Sequence, residues 1–205
     1  MKNIIIALLL LVCSKANFAQ TEKGAFVLSG KTDLHFLFSQ NTAGTDSIQV
    51  SKIKTNEYGF SLGAGYFIAD NLSVGVSSAY TYSDSRSYPN QWMEGVESIT
   101  TTFSVIPQLS YYLPVEGKLK PSVAAGIGYT WLKERNSQNQ SNNNIVYKAS
   151  GPSYNAGVGA SYFITRSVAF DLSVQYSHSR LKEPGSEWLQ KQNAVAGAVG
   201  ISVYL

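Results

Sequence analysis

The feature that most constrains this chain is an alternation of apolar residues with small or polar ones. In the stretch YGFSLGAGYFIADNLSVGVSSAYTYS, residues 58–83, rings and aliphatic side chains occupy alternate positions, whereas Gly, Ser and other small residues dominate the positions between them. Successive side chains of a β-strand point to opposite faces. The alternation therefore predicts strands with one apolar face and one face of small or polar groups.

The same alternation recurs along the chain and predicts eight strands. Residues 154–179 repeat residues 58–83 at an offset of 96 positions without a gap, so the repeating unit is a hairpin, as an up-and-down meander requires. The predicted strands cover residues 25–39, 58–69, 72–83, 98–113, 119–133, 153–164, 168–178 and 193–205.

The predicted connections alternate between short and long. Short ones cover residues 70–71, 114–118 and 165–166, and long polar ones cover residues 40–52, 84–97, 134–150 and 180–192. Consecutive antiparallel strands place alternate connections at opposite ends of a sheet. We therefore expect one end with tight turns, the short-turn end, and another with four long loops, the long-loop end.

Two closed barrels fit eight antiparallel strands. A soluble, lipocalin-like barrel hides its apolar face inside, whereas a membrane barrel turns that face toward lipid and lines a narrow interior with small or polar groups. The apolar positions here carry Phe, Tyr, Trp and Leu, which are too bulky to fit together inside eight strands. The sequence therefore predicts an all-β fold, an eight-stranded antiparallel up-and-down transmembrane β-barrel.

Aromatic residues fall in two bands on the apolar face. Trp and Tyr collect at both interfaces of a bilayer, where an amphipathic ring meets the headgroups; the simpler alternative is that tyrosine is common in strands. Because the tyrosines recur beside every short turn, we favour lipid-facing girdles. One band comprises Tyr66, Tyr111 and Tyr162, and the other comprises Tyr80, Tyr82, Trp131 and Tyr176.

The first residues predict export. One early cation, Lys2, precedes an apolar run over residues 4–12, which as a helix of about 14 Å is too short for a bilayer core of about 30 Å. We interpret residues 1–19 as a cleaved signal peptide and residues 20–205 as the barrel domain, with cleavage after Ala19 or, alternatively, Ala16. Lipid attachment at Cys13 is disfavoured because Val12, rather than a small residue, precedes it.

The mature chain predicted in this way is nearly neutral. Loss of two lysines with the signal leaves 14 of the 16 basic residues against 13 acidic ones, and no cysteine remains for a disulfide. This balance predicts no nucleic-acid partner. It also means that closure of the barrel, which pairs every strand edge, has to stabilise the fold.

The segments that carry a family resemblance are LGAGYFIADNLSVGV, VIPQLSYYLP, KPSVAAGIGY and the terminal AGAVGISVYL. With the signal peptide, they resemble the outer membrane beta-barrel domain family of Gram-negative bacteria, the small barrels that include OmpA-like, OmpX-like and OmpW-like proteins. The resemblance implies the cell outer membrane, short turns in the periplasm and long loops outside. It also implies insertion by the outer-membrane assembly machinery, which reads a last strand that here ends Tyr204-Leu205.

The inward face offers candidates for a filled lumen. We predict a polar network there, read either as a paired interior, which we favour because buried charges have to pair, or as a pore. Aromatic residues that point inward beside the short turns are predicted to plug the periplasmic mouth. The network comprises Lys31, Asp33, His35, Glu57, Gln108, Lys120, Asn155, Asp171 and Gln175, and the plug comprises Phe67, Tyr112 and Phe163.

The sequence contains no convincing catalytic site. A nucleophile needs a base beside it, and His178 cannot share a strand face with Ser177 or Ser179 because neighbours point oppositely. We therefore expect an interfacial histidine, no enzymatic activity, no cofactor and no metal site. The lipid-modifying enzymes found among eight-stranded outer-membrane barrels remain the distant alternative.

The loops supply the remaining functional candidates. Residues 135–144 are polar and are expected to form a flexible loop. Trp92 and Trp188 either anchor a partner or fold back on the barrel rim, and the sequence leaves both interpretations open. We expect a monomer in contact with outer-membrane lipid, with a structural role or an extracellular partner bound through its loops. A narrow channel for small solutes or apolar molecules is the alternative.

Overall fold

A computed structural model describes residues 21–34, 53–87, 96–138, 141–185 and 189–205. Every strand pairs antiparallel with its neighbour in sequence, and β1 also pairs with β8 to close a barrel, which confirms the predicted fold class. In the part of the chain that the structure describes, no helix is long and apolar enough to cross a bilayer. The strands are β1 Phe26–Leu34, β2 Ile53–Ala69, β3 Leu72–Ser87, β4 Val96–Tyr112, β5 Leu119–Gln138, β6 Ser141–Phe163, β7 Val168–Lys182 and β8 Leu189–Tyr204.

The apolar side chains lie on the outside of this barrel. Leu62, Ile127 and Val195 are 58%, 75% and 63% exposed, whereas the positions between the outward residues are mostly Gly, Ser and Ala. An exposed apolar surface that runs round a closed barrel is suited to lipid and not to water. The structure is therefore the membrane barrel that the sequence predicted, with its apolar face outside, and not the soluble barrel with its apolar face inside.

Polar contacts hold the short-turn end together. Asn71, in the β2–β3 turn, has a positive φ of 64°, a conformation that Asn tolerates better than most residues. Thr21 donates its hydroxyl to the Asn71 side-chain oxygen at 2.7 Å, and the Lys23 amide donates to Asp70 at 2.9 Å. The segment that precedes β1 is thereby fixed against this turn.

The long-loop end departs from the sequence prediction. Strand β5 continues to Gln138 and strand β6 already begins at Ser141. Residues 134–150 therefore do not form a long loop, and residues 135–144 are largely paired. Glu134 accepts hydrogen bonds from Ser98 at 3.3 Å and from Asn136 at 3.0 Å. Because backbone pairing and these side-chain bonds satisfy polar groups, polar residues extend the strands here.

The other predicted loops are shortened at one or both ends. Strand β3 reaches Ser87 and β4 begins at Val96, while β7 reaches Lys182 and β8 begins at Leu189. The predicted loop over residues 40–52, as well as Trp92 and Trp188, lies outside the described residues, as does the predicted signal peptide.

Candidate functional site in the barrel lumen

Aromatic rings fill the lumen at the short-turn end. Phe67 and Phe163 are 0% and 1% exposed, and Tyr112 packs against the same buried cluster. These are the three residues proposed from the sequence as a plug. Their rings converge because each side chain occupies an inward position near the end of its strand. Burial of such rings stabilises a fold by about 1.5–3 kcal/mol each.

Tyr204 completes this cluster, and the sequence interpretation missed it. Its ring is 3% exposed and its centroid lies 4.8 Å from Phe163, 6.2 Å from Phe67 and 6.4 Å from Tyr112. The alternation in β8 could have predicted that Tyr204 points inward, because it occupies an even-numbered position like the inward residues of that strand. Leu205 exchanges two backbone hydrogen bonds of 2.8 Å with Phe26. The role of the Tyr204-Leu205 ending in assembly stays a prediction. We call Phe67, Tyr112, Phe163 and Tyr204 the aromatic plug.

A buried carboxylate lies next to the aromatic plug. Asp171 is buried and accepts hydrogen bonds from the hydroxyl of Ser161 at 2.6 Å and from that of Ser202. The Tyr204 hydroxyl lies 3.5 Å from Ser161 and 3.4 Å from the Tyr112 hydroxyl. A buried polar group is costly unless it is hydrogen-bonded. The two serines therefore make this carboxylate tolerable inside the barrel, and neither was proposed from the sequence.

Lys31 and Asp171 border the same small cavity. Both are cross-strand partners of Gly200, on opposite sides of β8. A Cβ atom at Gly200 would collide with the Gly30 carbonyl oxygen and would lie 2.6 Å from Cγ of Lys31, so a larger residue there would displace the backbone of β1 and the lysine stem. The cavity has a volume of about 70 Å³ and also contacts Gln108 and Gln175. It can hold a few waters at most.

The middle of the barrel is filled as well. Ile106 points inward and is buried, and a Cβ atom at Gly126 would lie 2.7 Å from Cγ2 of Ile106 and 3.0 Å from the Asn155 side-chain oxygen. A second cavity of about 240 Å³ lies beyond this layer and is bordered by Glu57, Asn155 and Gln175. Gln175 borders both cavities and marks the boundary between them.

The predicted polar network is therefore only partly assembled. Lys120 instead donates its amine to the Val115 carbonyl in the β4–β5 turn, because it lies one residue inside β5 and its long side chain reaches the turn. The Asp33 side chain and His35 lie outside the described residues. The predicted members that border the two cavities are Lys31, Glu57, Gln108, Asn155, Asp171 and Gln175.

His178 lies on the outer surface near the long-loop end. Its ring stacks on Tyr154 with centroids 4.9 Å apart, and its Nδ1 donates to the Asn193 oxygen at 2.7 Å. The Tyr176 hydroxyl donates to the same oxygen at 2.9 Å. Neighbours in a strand point oppositely, so Ser177 and Ser179 face away from this ring. The interfacial position that the sequence suggests for His178 stays a prediction.

The proposed girdle residues all face outward. Those at the short-turn end are Tyr66, Tyr111 and Tyr162, and those toward the long-loop end are Tyr80, Tyr82, Trp131 and Tyr176; all are half-exposed or partly exposed. Among the described residues, no three His, Cys, Asp or Glu side chains are grouped to hold a metal ion.

Comparisons with known proteins identify a matching family model and solved structures with a similar fold. The family model described as outer membrane protein beta-barrel domain matches residues 5–203. Ail, the attachment invasion locus protein of Yersinia pestis, is 14% identical with a TM-score of 0.53, covering 89% of this chain and 99% of that one. Neisserial surface protein A is 15% identical with a TM-score of 0.49, covering 89% and 97%. OprG of Pseudomonas aeruginosa is 14% identical with a TM-score of 0.49, covering 92% and 99%. No curated protein matches the chain. Likeness at these identities concerns the fold alone.

Proposed function

We propose a function from the premise that this chain belongs to the outer membrane protein beta-barrel domain family and resides in the cell outer membrane. The proposal is that the protein is a closed, non-enzymatic barrel that presents its long-loop end outside the cell as a structural or interaction surface. The observation that carries it is the filled lumen, in which the aromatic plug and Ile106 interrupt the path along the axis.

The shape of the long-loop end supports presentation. About 9 to 11 residues per strand suffice to cross a bilayer, whereas β5 has 20 residues and β6 has 23. The excess length projects a hairpin beyond the membrane. A hydrogen-bonded hairpin on a closed barrel is a scaffold on which exposed residues can contact a partner at little cost in entropy.

Two observations argue against the alternatives. A channel for solutes would need a continuous passage, yet the two lumen cavities are small and the plug covers one end. A lipid-modifying enzyme would need a nucleophile within reach of a base, and His178 is held instead by Asn193 and Tyr154.

Conductance in planar bilayers tests the closed barrel. The mature chain should give no stepwise conductance, whereas the triple variant Phe67→Ala, Ile106→Ala, Phe163→Ala should, because these side chains obstruct the axis. The single variant Ile106→Ala keeps the plug and should stay closed, and Phe170→Ala, on the outer face, is the control for a lost ring. Stable conducting steps from the unaltered chain would contradict the proposal.

Cysteine labelling on intact cells tests the orientation. The only cysteine, Cys13, lies in the predicted signal peptide, so a single new thiol reports its own side of the membrane. Ser137→Cys, at the far end of β5, should react with a membrane-impermeant maleimide, while Glu116→Cys, in the β4–β5 turn, should react only after the cells are opened. The reverse pattern would overturn the outward placement of the long-loop end.

A further inference from the structure

Two lysines face each other on the outer surface of the barrel, above the aromatic band of the long-loop end. Lys133 of β5 and Lys148 of β6 are direct cross-strand partners, and both are exposed. Like charges placed directly opposite on a sheet destabilise it. Arg180 of β7 and Lys191 of β8 are a second exposed pair of cations that lie directly opposite each other. Repeated juxtaposition of cations indicates that this surface meets negative charge.

Further exposed cations surround these two pairs. The outward positions of β5 to β8 beyond the aromatic band carry six exposed basic side chains, whereas the corresponding positions of β3 and β4 include acidic Asp84 and Glu97, with Arg86 as the cross-strand partner of Glu97. Glu183 borders a hollow together with Lys133 and Lys148, so one carboxylate stands against two ammonium groups there. The basic residues are Lys133, Arg135, Lys148, Arg180, Lys182 and Lys191.

An apolar groove begins directly below the lysine pair. It has a volume of about 370 Å³ and runs between Phe103, Trp131 and Pro184, with Lys133 and Lys148 at its edge. The Phe103 and Trp131 rings stack with centroids 5.8 Å apart, and both are half-exposed on the lipid-facing surface. The groove is thus apolar on the membrane side and cationic on the side that faces water.

We propose that this groove binds a phosphorylated glycolipid of the outer leaflet, with an acyl chain along Phe103 and Trp131 and a phosphate between Lys133 and Lys148. Charge complementarity selects the headgroup, because two ammonium groups that repel each other both gain from one shared anion. The apolar wall favours a lipid over free phosphate, because free phosphate has no acyl chain to pack against Phe103 and Trp131. The site rests on the proposed function, in which the long-loop end lies outside the cell. The cysteine-labelling experiment tests that orientation separately.

Lipid binding to the purified full-length mature barrel tests the site. In nanodiscs of zwitterionic lipid, native mass spectrometry should show bound diphosphoryl lipid A. The variant Lys133→Gln, Lys148→Gln should bind it at least about tenfold more weakly, because both charge-assisted hydrogen bonds to the phosphate are lost. The variant Lys133→Arg, Lys148→Arg should retain binding, since arginine also pairs with phosphate.

Matched controls separate this site from general attraction. Lys118→Gln, Arg166→Gln removes the same charge at the short-turn end and should bind as the unaltered chain does. Trp131→Ala should weaken binding while leaving the lysines in place. Dephosphorylated lipid A should bind weakly, and millimolar inorganic phosphate should not compete. Equal binding by the glutamine variant, or full competition by inorganic phosphate, would overturn the proposal.

Discussion

The short-turn end of the barrel is packed with four aromatic rings, whereas the long-loop end keeps a polar cavity and an apolar cluster on only part of its wall. At the first end, Phe67, Tyr112, Phe163 and Tyr204 come from four strands around the barrel and meet at the axis. At the second, Leu132, Ala149 and Leu181 come from the neighbouring strands β5, β6 and β7.

This difference follows the length of the connections. Turns such as Asp70-Asn71 are too short to fold over the mouth of the barrel, so side chains at the strand ends have to fill it. Where the strands run on past the membrane, polar residues such as Glu134 and Asn136 satisfy one another in a hydrogen-bonded hairpin. Stability is therefore expected to concentrate at the short-turn end, and surface contacts at the other.

The largest expected effect is loss of a plug ring. Phe67→Ala or Phe163→Ala should each lower the free energy of unfolding by about 3–5 kcal/mol, because a cavity is left where no lipid can enter. Phe170→Ala should cost less, about 1.5–3 kcal/mol, since lipid refills the outer face. Guanidinium unfolding in detergent micelles measures both. Equal losses at the inner and outer positions would contradict the contrast.

A smaller effect is expected beside the buried carboxylate. Ser161→Ala or Ser202→Ala should each cost about 1–3 kcal/mol, because Asp171 loses a hydrogen bond without gaining water. Ser173→Ala is the matched control: its buried hydroxyl has no hydrogen-bond partner in the structure, so the variant should not lower the stability, because no hydrogen bond is lost and an unsatisfied buried group is removed. The same unfolding assay decides, and a cost at Ser173 equal to that at Ser161 would refute the network.

The smallest effect is expected in the projecting hairpin. Asn136→Ala removes the hydrogen bond to Glu134 and should cost about 0.5–1.5 kcal/mol, because water can replace a lost partner there. Its control, Arg135→Ala, alters the outward side of the same strand and should stay within about 0.5 kcal/mol. Unfolding measured by tryptophan fluorescence tests this, and a loss as large as that of Phe67→Ala would show that the long-loop end also anchors the fold.

The alternation of side chains by itself determined the eight strands, the antiparallel meander and the side of the barrel that meets lipid. These features depend on a period of two residues and on the bulk of each face, which are local properties of a sequence. For the same reason Phe67, Tyr112 and Phe163 could be assigned to the inner face at the correct end.

Only the tertiary structure decided which inward residues meet. Tyr204 reaches Phe67 and Phe163 because β8 closes on β1. Lys31 and Asp171 border one cavity because β8 pairs with β1 on one side and with β7 on the other. The extension of β5 and β6 past Glu134 likewise depends on a partner strand, since polar residues favour pairing only once a partner satisfies their backbone groups. Closure joins residues far apart in the chain, and no local period carries that information.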